Sequence, residues 1–271
     1  MTGQDAQDHL VRILQPVSAR AEALGIPWLL VGAAARDLVL EQLGLKGLER
    51  ATLDVDIAVQ VRTWGEYSAL KSALIETDGF LRHGLPHRLI SPARQPLDLV
   101  PFGELAEDGE LAWEGTDGLT MDVALFGDVL EASTVLRLGD TAIRIPSLAG
   151  LVCMKLTAWR DRHLDTGRDA VDLSGLLERA TEWVSLDQLY GEHAAVLSQY
   201  GFDSDLAGIH ALGARMAREL SSDNRLDIEG ILEGALAELN PTALLRELAG
   251  LVRPAAILHA LLAGVSETPS R

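Results

Sequence analysis

The segment Thr52-Leu53-Asp54-Val55-Asp56-Ile57 constrains this chain more than any other stretch of it. Acidic and apolar residues alternate, and alternation with period two marks a β-strand with one face turned to the core. On such a strand Asp54 and Asp56 project from the same side, while Val55 and Ile57 point inward. Two like charges held that close repel each other and weaken the strand unless something compensates them. A divalent cation is one resolution, and an all-carboxylate set selects a hard ion such as magnesium. The pair therefore points to a two-metal phosphoryl-transfer platform, in which one ion activates the attacking oxygen and another holds a triphosphate. A solvated edge strand shows the same pattern, so the pair alone leaves both readings open.

What precedes the pair narrows the choice. Ile26 to Val31 is a short apolar run that stops at Gly32, as a buried strand does, and Ala33 to Leu43 has helical period directly after it. A strand that ends in glycine and hands over to a helix lets a phosphate approach exposed backbone N–H groups. The helix start adds partial positive charge, and Arg36 adds a full one. Gly32, Ala33 and Arg36 are thus candidate nucleotide contacts, although close packing of a helix on a sheet asks for the same small residues.

The remaining elements follow from period. A helix is expected from Asp8 to Leu24, interrupted near Pro16, and another from Trp64 to Glu76. His87–Ser91, Leu97–Phe102, Met121–Phe126, Val135–Leu138 and Ala142–Ile145 read as strands, with an acidic loop from Glu104 to Gly118. After Pro146 the texture becomes helical, with Ser147 capping a helix to Arg162 and breaks near Gly167, Gly201, Asn224 and Pro241. The expected organisation is a catalytic α/β core over residues 1–145 and an all-helical domain over residues 146–271.

Composition excludes several classes. With 48% hydrophobic residues along its 271 positions the chain can bury a core, although only 4% are aromatic. No apolar run of about 18 residues is present, so no membrane helix is expected. The N-terminus lacks the basic-then-apolar layout of a secretion signal. The single cysteine, Cys153, permits no internal disulfide, fits a reducing cytoplasm and reads as a small core residue. The formal net charge of −17 argues against a broad duplex-DNA-binding face, because phosphate backbones are held by Lys and Arg.

Taken in order, an apolar strand, a glycine turn, a helix and a strand bearing Asp-x-Asp resemble the DNA-polymerase-β-like nucleotidyltransferase superfamily. That resemblance implies an α+β fold, a mixed sheet flanked by helices followed by the helical domain. It also implies a third carboxylate from a neighbouring strand. Asp98, inside Pro96-Leu97-Asp98-Leu99-Val100, matches its form, and Asp122 in Met121-Asp122-Val123 is a second candidate. Residues 26–177 resemble the AbiEii/AbiGii toxin family more particularly. There a helix carries a Lys and then Asp-Arg, here Lys155 and Asp161-Arg162. A second helix opens with Arg-Asp-x-x-Asp, here Arg168-Asp169-Ala170-Val171-Asp172. Two features differ from the superfamily pattern. Ala33 stands where a second Gly or Ser is usual, and the gap from Gly32 to Asp54, containing Gly44, Gly47 and Arg50, is long.

The resemblance implies transfer of a nucleoside monophosphate from a nucleoside triphosphate (NTP) to an acceptor hydroxyl, with pyrophosphate leaving. Asp54, Asp56 and Asp98 would hold two Mg2+ ions, or Mn2+ in their place, with Asp98 also aiding deprotonation of the acceptor. Lys155 and Arg36 would neutralise the leaving group. Thr52, Arg88, Asp169 and Asp172 complete the candidate nucleotide contacts. Arg88 belongs to a basic stretch with Arg82, His83, His87 and Arg94, which a surface loop would also explain. The family implies tRNA or protein as acceptor and an antitoxin partner, while the acidic charge favours a protein or small molecule. A haloacid-dehalogenase-like phosphatase is the enzymatic rival, but its Asp-x-Asp lies on the first strand. A non-catalytic nucleotide-binding module is the other.

Overall fold

A computed structural model describes residues 3–45, 54–113, 118–237, 243–248 and 250–267. It forms two compact units, Met1–Ser147 and Leu148–Arg271. Thr52, Gly47, Arg50 and Pro241 lie outside the described residues.

The first unit opens with α1 (Gly3–Leu24), β1 (Trp28–Val31), α2 (Gly32–Gln42) and β2 (Val55–Gln60). Next come α3 (Trp64–Asp78), β3 (Leu81–Arg82), β4 (Arg88–Ile90) and β5 (Pro96–Phe102). It closes with β6 (Glu110–Ala112), β7 (Thr120–Asp122), α4 (Phe126–Glu131), β8 (Thr134–Leu138) and β9 (Thr141–Ile145). Five strands make one sheet in the order β1-β2-β5-β4-β3, while β6-β7 and β8-β9 form two-stranded sheets. In the large sheet β2 and β5 are parallel and every other pair is antiparallel, so the sheet is mixed. The parallel pair needs a long crossover, which α3 with β3 and β4 supplies.

The core is aliphatic, as the low aromatic content requires. Leu29, Leu30, Ile57, Val59, Leu97 and Leu99 are fully buried in the central strands. Every residue of β5 after Pro96 is buried, so this strand is covered on both faces. A Thr63 side chain caps α3 by accepting from the Glu66 amide, and Gly79 ends that helix at φ 74°.

Three expectations fail locally. Pro16 does not interrupt α1, which runs unbroken from Gly3 to Leu24. A proline costs about 3 kcal/mol inside a helix, but Ile13, Leu14 and Val17 around it are buried, each worth about 1.5–3 kcal/mol. The run Met121–Phe126 is not one strand: β7 ends at Asp122, and Phe126 opens α4. The acidic loop contains β6, whose Leu111 is buried.

The second unit is helical throughout its described residues. It comprises α5 (Leu148–Arg162), α6 (Arg168–Trp183), α7 (Leu186–Tyr190), α8 (Ala194–Gln199) and α9 (Ser204–Glu219). It ends with α10 (Ser222–Leu236), α11 (Ala243–Glu247) and α12 (Pro254–Val265). The break expected near Asn224 falls three residues before it, at Leu220–Ser221 between α9 and α10, so Asn224 itself lies in the first turn of α10. The tightest packing is between α9 and α12. A Cβ on Gly213 would meet the Leu261 carbonyl and stand 3.0 Å from the Val265 amide. A Cβ on Gly264 would meet the His210 carbonyl and stand 2.7 Å from the Ala214 amide. The two backbones touch there.

Candidate active site

Strand register assembles the site in the first unit. Asp56 on β2 stands opposite Val31, the last residue of β1, on one side and Asp98 of β5 on the other. Asp98 in turn stands opposite Arg88 of β4. Laterally paired residues of a sheet share a face, so Asp56, Asp98 and Arg88 form one row across three strands, with Asp54 two residues before Asp56 on the same side. Further along the same face Ala58 and Val100 are buried, so the row occupies the open end of an otherwise covered surface.

Adjacent strands lie about 4.8 Å apart, which brings the Asp56 and Asp98 carboxylates into each other's field. At an effective dielectric near 20, two unit charges about 5 Å apart repel by about 3 kcal/mol. The sheet answers with Arg88. Its Nε and Nη2 donate to the two oxygens of Asp98, both at 2.7 Å, and Nη2 also reaches Asp54 Oδ2 at 3.3 Å. The hydrogen bond to Asp98, aided by the charges of Asp54 and Asp56, pushes the Arg88 pKa above its ordinary value. Asp98 is almost buried, whereas the Asp54 side chain is 42% exposed and opens the row to solvent.

Gly32 is held in the left-handed region at φ 68°. A Cβ there would strike the Asp56 carboxylate, lying 2.8 Å from Cγ and 3.0 Å from Cβ of that residue. Glycine is thus required twice, for the turn and for the space that Asp56 fills. Ala33 follows in the first turn of α2. The Arg36 side chain is 1% exposed and paired with Asp37 at 2.8 Å, so the structure does not present it to solvent.

Asp122, the other candidate for a third carboxylate, belongs to the β6-β7 sheet, and its Oδ1 accepts from the Ala124 amide at 2.9 Å. Of the two, Asp98 is the one paired with Asp56. Within the basic stretch, Arg82 lies exposed on β3, His83 Nδ1 accepts from the Leu85 amide, and Arg94 occupies a turn at φ 65°. His87 Nε2 is 4.0 Å from Asp98 Oδ2, and its ring packs on Trp113 at 5.6 Å. Burial lowers its pKa, against the pull of Asp98. The sequence marked His87 only as part of a basic run. Trp64, Tyr67 and Trp113, which cluster beside it, gave no signal at all.

The donor chemistry of the row suits a hard cation, being oxygen only, and a cationic group already rests on it. As the side chains stand, Asp54 and Asp98 are turned to Arg88, and no three such groups among the described residues close around one point. A cavity of about 550 Å3 opens at the far end of β2, between Pro27, Gln60, Arg62 and Glu104. It is remote from the carboxylates along the strand and shares no residue with them.

In the helical unit a second ionic cluster forms. Lys155 of α5 bridges Asp169 at 2.9 Å and Asp172 at 2.8 Å, the first on the opening turn of α6 and the second three residues on. Arg162 also reaches Asp169, at 2.6 Å. Asp169 is 1% exposed. Burial alone would raise its pKa, but hydrogen bonds from Arg162 and Lys155 and their charges outweigh that and lower it.

The chain matches the family described as nucleotidyl transferase AbiEii toxin, type IV toxin–antitoxin system, over residues 18–248. That is most of its length. The chain belongs to the AbiEii nucleotidyltransferase toxin family. As an AbiEii-type protein it is a nucleotidyltransferase with a mixed-sheet α+β core and a helical C-terminal region. Enzymes of this kind generally use divalent metal ions. No curated protein matches the chain. Among solved structures it is similar to ANT(2'')-Ia in complex with adenylyl-2''-tobramycin, at 14% identity and TM-score 0.39, covering 71% of this chain and 99% of that one. It is also similar to an antigenic nucleotidyltransferase-like protein from Paracoccidioides brasiliensis, at 16% identity and TM-score 0.43, covering 75% and 92%. The AbiEii assignment rests on the family match and not on these two. No helix among the described residues is long and apolar enough to cross a membrane.

Proposed function

We propose that this AbiEii-type protein transfers a nucleoside monophosphate from an NTP to an acceptor hydroxyl, using Asp54, Asp56 and Asp98 as its metal-binding carboxylates. The observation that supports this most is the register that sets Asp56 beside Asp98 on parallel strands, with Asp54 on the same face. Magnesium ions, two of them with manganese as a substitute, would neutralise triphosphate charge and acidify the acceptor hydroxyl. Asp54, Asp56 and Asp98 would hold them, and Asp98 would also accept the acceptor's proton at a carboxylate oxygen. Gly32 keeps Asp56 in the row by leaving its carboxylate room. The backbone at Gly32 and Ala33, at the start of α2, offers N–H groups to the triphosphate. Arg36, buried, steadies that helix from within. Lys155 is the further cation for the leaving pyrophosphate, oriented by Asp169 and Asp172; this role is carried by the family resemblance and not by placement.

A tRNA 3′ end or a protein hydroxyl is the acceptor the family favours, with an antitoxin partner and a cytoplasmic setting that the lone buried Cys153 fits. The net charge of −17 supports a second reading, in which the acceptor is a small molecule. Incubation of the protein with labelled NTPs, total RNA and cell lysate tests both. Label in tRNA or protein supports the first reading and label in a small solute the second. No Mg2+-dependent incorporation anywhere, from wild type under conditions where it binds nucleotide, would overturn the proposal in favour of a binding module.

A further inference from the structure

The carboxylate row carries a cation of its own, and its geometry says what that cation must do. Arg88 is fixed to Asp98 by two charge-assisted hydrogen bonds in the planar fork that guanidinium and carboxylate share, and it extends to Asp54 across the strand order. Each oxygen of Asp98 thereby accepts one hydrogen bond from the same guanidinium. An ion bridging Asp56 and Asp98 requires one of those same oxygens, and the Asp54 oxygen facing Arg88 is the other natural ligand. An ion seated there would stand within a few ångströms of the guanidinium, which repels it, and Asp54 and Asp98, now turned to Arg88, must swing from it to close around the ion.

We infer that Arg88 is a displaceable counter-cation: it neutralises the row when the row holds no metal, and metal binding proceeds by breaking its contacts to Asp98 and Asp54. This rests on the metal-site reading above and goes beyond it. Arg88 then sets how tightly the ion binds, since each ion must offset the lost guanidinium pair. Once released, the side chain stays tethered to β4 beside the row. A rigid strand holds its Cα opposite Asp98, so the freed fork stays within reach of whatever anion arrives with the ion. The same residue thus serves the apo protein as a brace and the loaded one as an anion contact.

The test is metal binding without nucleotide. Mn2+ affinity is measured by electron paramagnetic resonance or calorimetry for wild type, Arg88→Gln, Arg88→Lys and Asp56→Asn. The inference predicts that Arg88→Gln binds Mn2+ at least about tenfold more tightly, about 1.4 kcal/mol. Arg88→Lys should fall between it and wild type, because an ammonium keeps the charge but loses the fork. Equal or weaker binding by Arg88→Gln overturns the inference, as does Arg88→Lys binding no better than wild type. Should Arg88→Gln fail to fold, the wild type still decides: the NMR resonance of the Arg88 Nε–H must move on titration with Mg2+. An unmoved resonance at saturating Mg2+ overturns the displacement. Asp56→Asn separates the two levels. If it binds Mn2+ like wild type, the metal-site reading itself falls; if it binds weakly while Arg88→Gln shows no gain, only the displacement falls.

Discussion

Replacing Gly32 with Ala tests whether the turn after β1 exists to make room for Asp56. The cost has two parts that a control can separate. The first is backbone strain: an alanine forced to φ 68° costs about 1–2 kcal/mol. Gly79, at φ 74°, pays that part alone, since a Cβ there would meet nothing nearer than the Pro92 Cγ at 3.9 Å. The second part exists only at Gly32, where the new Cβ would overlap the Asp56 carboxylate. A side chain can rotate out of the way, so the added stability loss is small, within about 1 kcal/mol for an off-rotamer side chain. The geometric loss is complete, because Asp56 leaves the row. Both variants should therefore melt a few degrees below wild type, at roughly 2–4 °C per kcal/mol for a chain of this size. Only Gly32→Ala should lose Mn2+ affinity and Mg2+-dependent label transfer, by on the order of tenfold or more per 1.4 kcal/mol of lost ligation. Calorimetry and incorporation of labelled NTP measure the two sides. Wild-type transfer and Mn2+ affinity in a folded Gly32→Ala protein would refute the reasoning, for Asp56 would then not depend on that space.

Other substitutions follow from the same geometry. Asp56→Asn should abolish transfer and leave the melting temperature within a few degrees of wild type, and retained transfer would remove Asp56 from the chemistry. Lys155→Ala should destabilise the helical unit by about 3 kcal/mol, because it leaves buried Asp169 to Arg162 alone; chemical denaturation with unchanged midpoint would contradict that. The same cluster gives a pH dependence. Asp169 has its pKa held below the ordinary 3.8, so its stabilising contribution is present above that value and fades as pH falls through the lower folded value. Thermal melts should accordingly show the loss only below about pH 4, and an Asp169→Asn protein should lack that acid limb. Gly213→Ala meets backbone atoms and not a movable side chain, so a loss of more than about 3 kcal/mol is expected by denaturant titration.

The sequence made the family and the fold class legible because both are written in local pattern. Period-two alternation around Asp54 and Asp56 marks β2, and the Gly32 stop marks the end of β1, within two or three residues of the observed bounds. Tertiary packing overruled a local signal at Pro16, where buried neighbours decided the backbone. The pairing of Asp98 with Asp56 was reachable only by resemblance, since register between strands some forty residues apart leaves no local trace. The grip of Arg88 on Asp98 depends on that same register, and so do the aromatic neighbours of His87. The burial of Arg36 was hidden for a different reason: Arg36 is one turn into α2, and helical position does not tell which side the sheet covers.

The family match ends at residue 248, yet α12 begins at Pro254. Its Gly264 rests backbone to backbone on Gly213 of α9, and Leu258, Leu261 and Val265 are buried. A chain trimmed to the matched region would strip α9 of the backbone that Gly213 meets and of the buried Leu258, Leu261 and Val265. The last helix is therefore as much a part of that unit's interior as any residue the family shares.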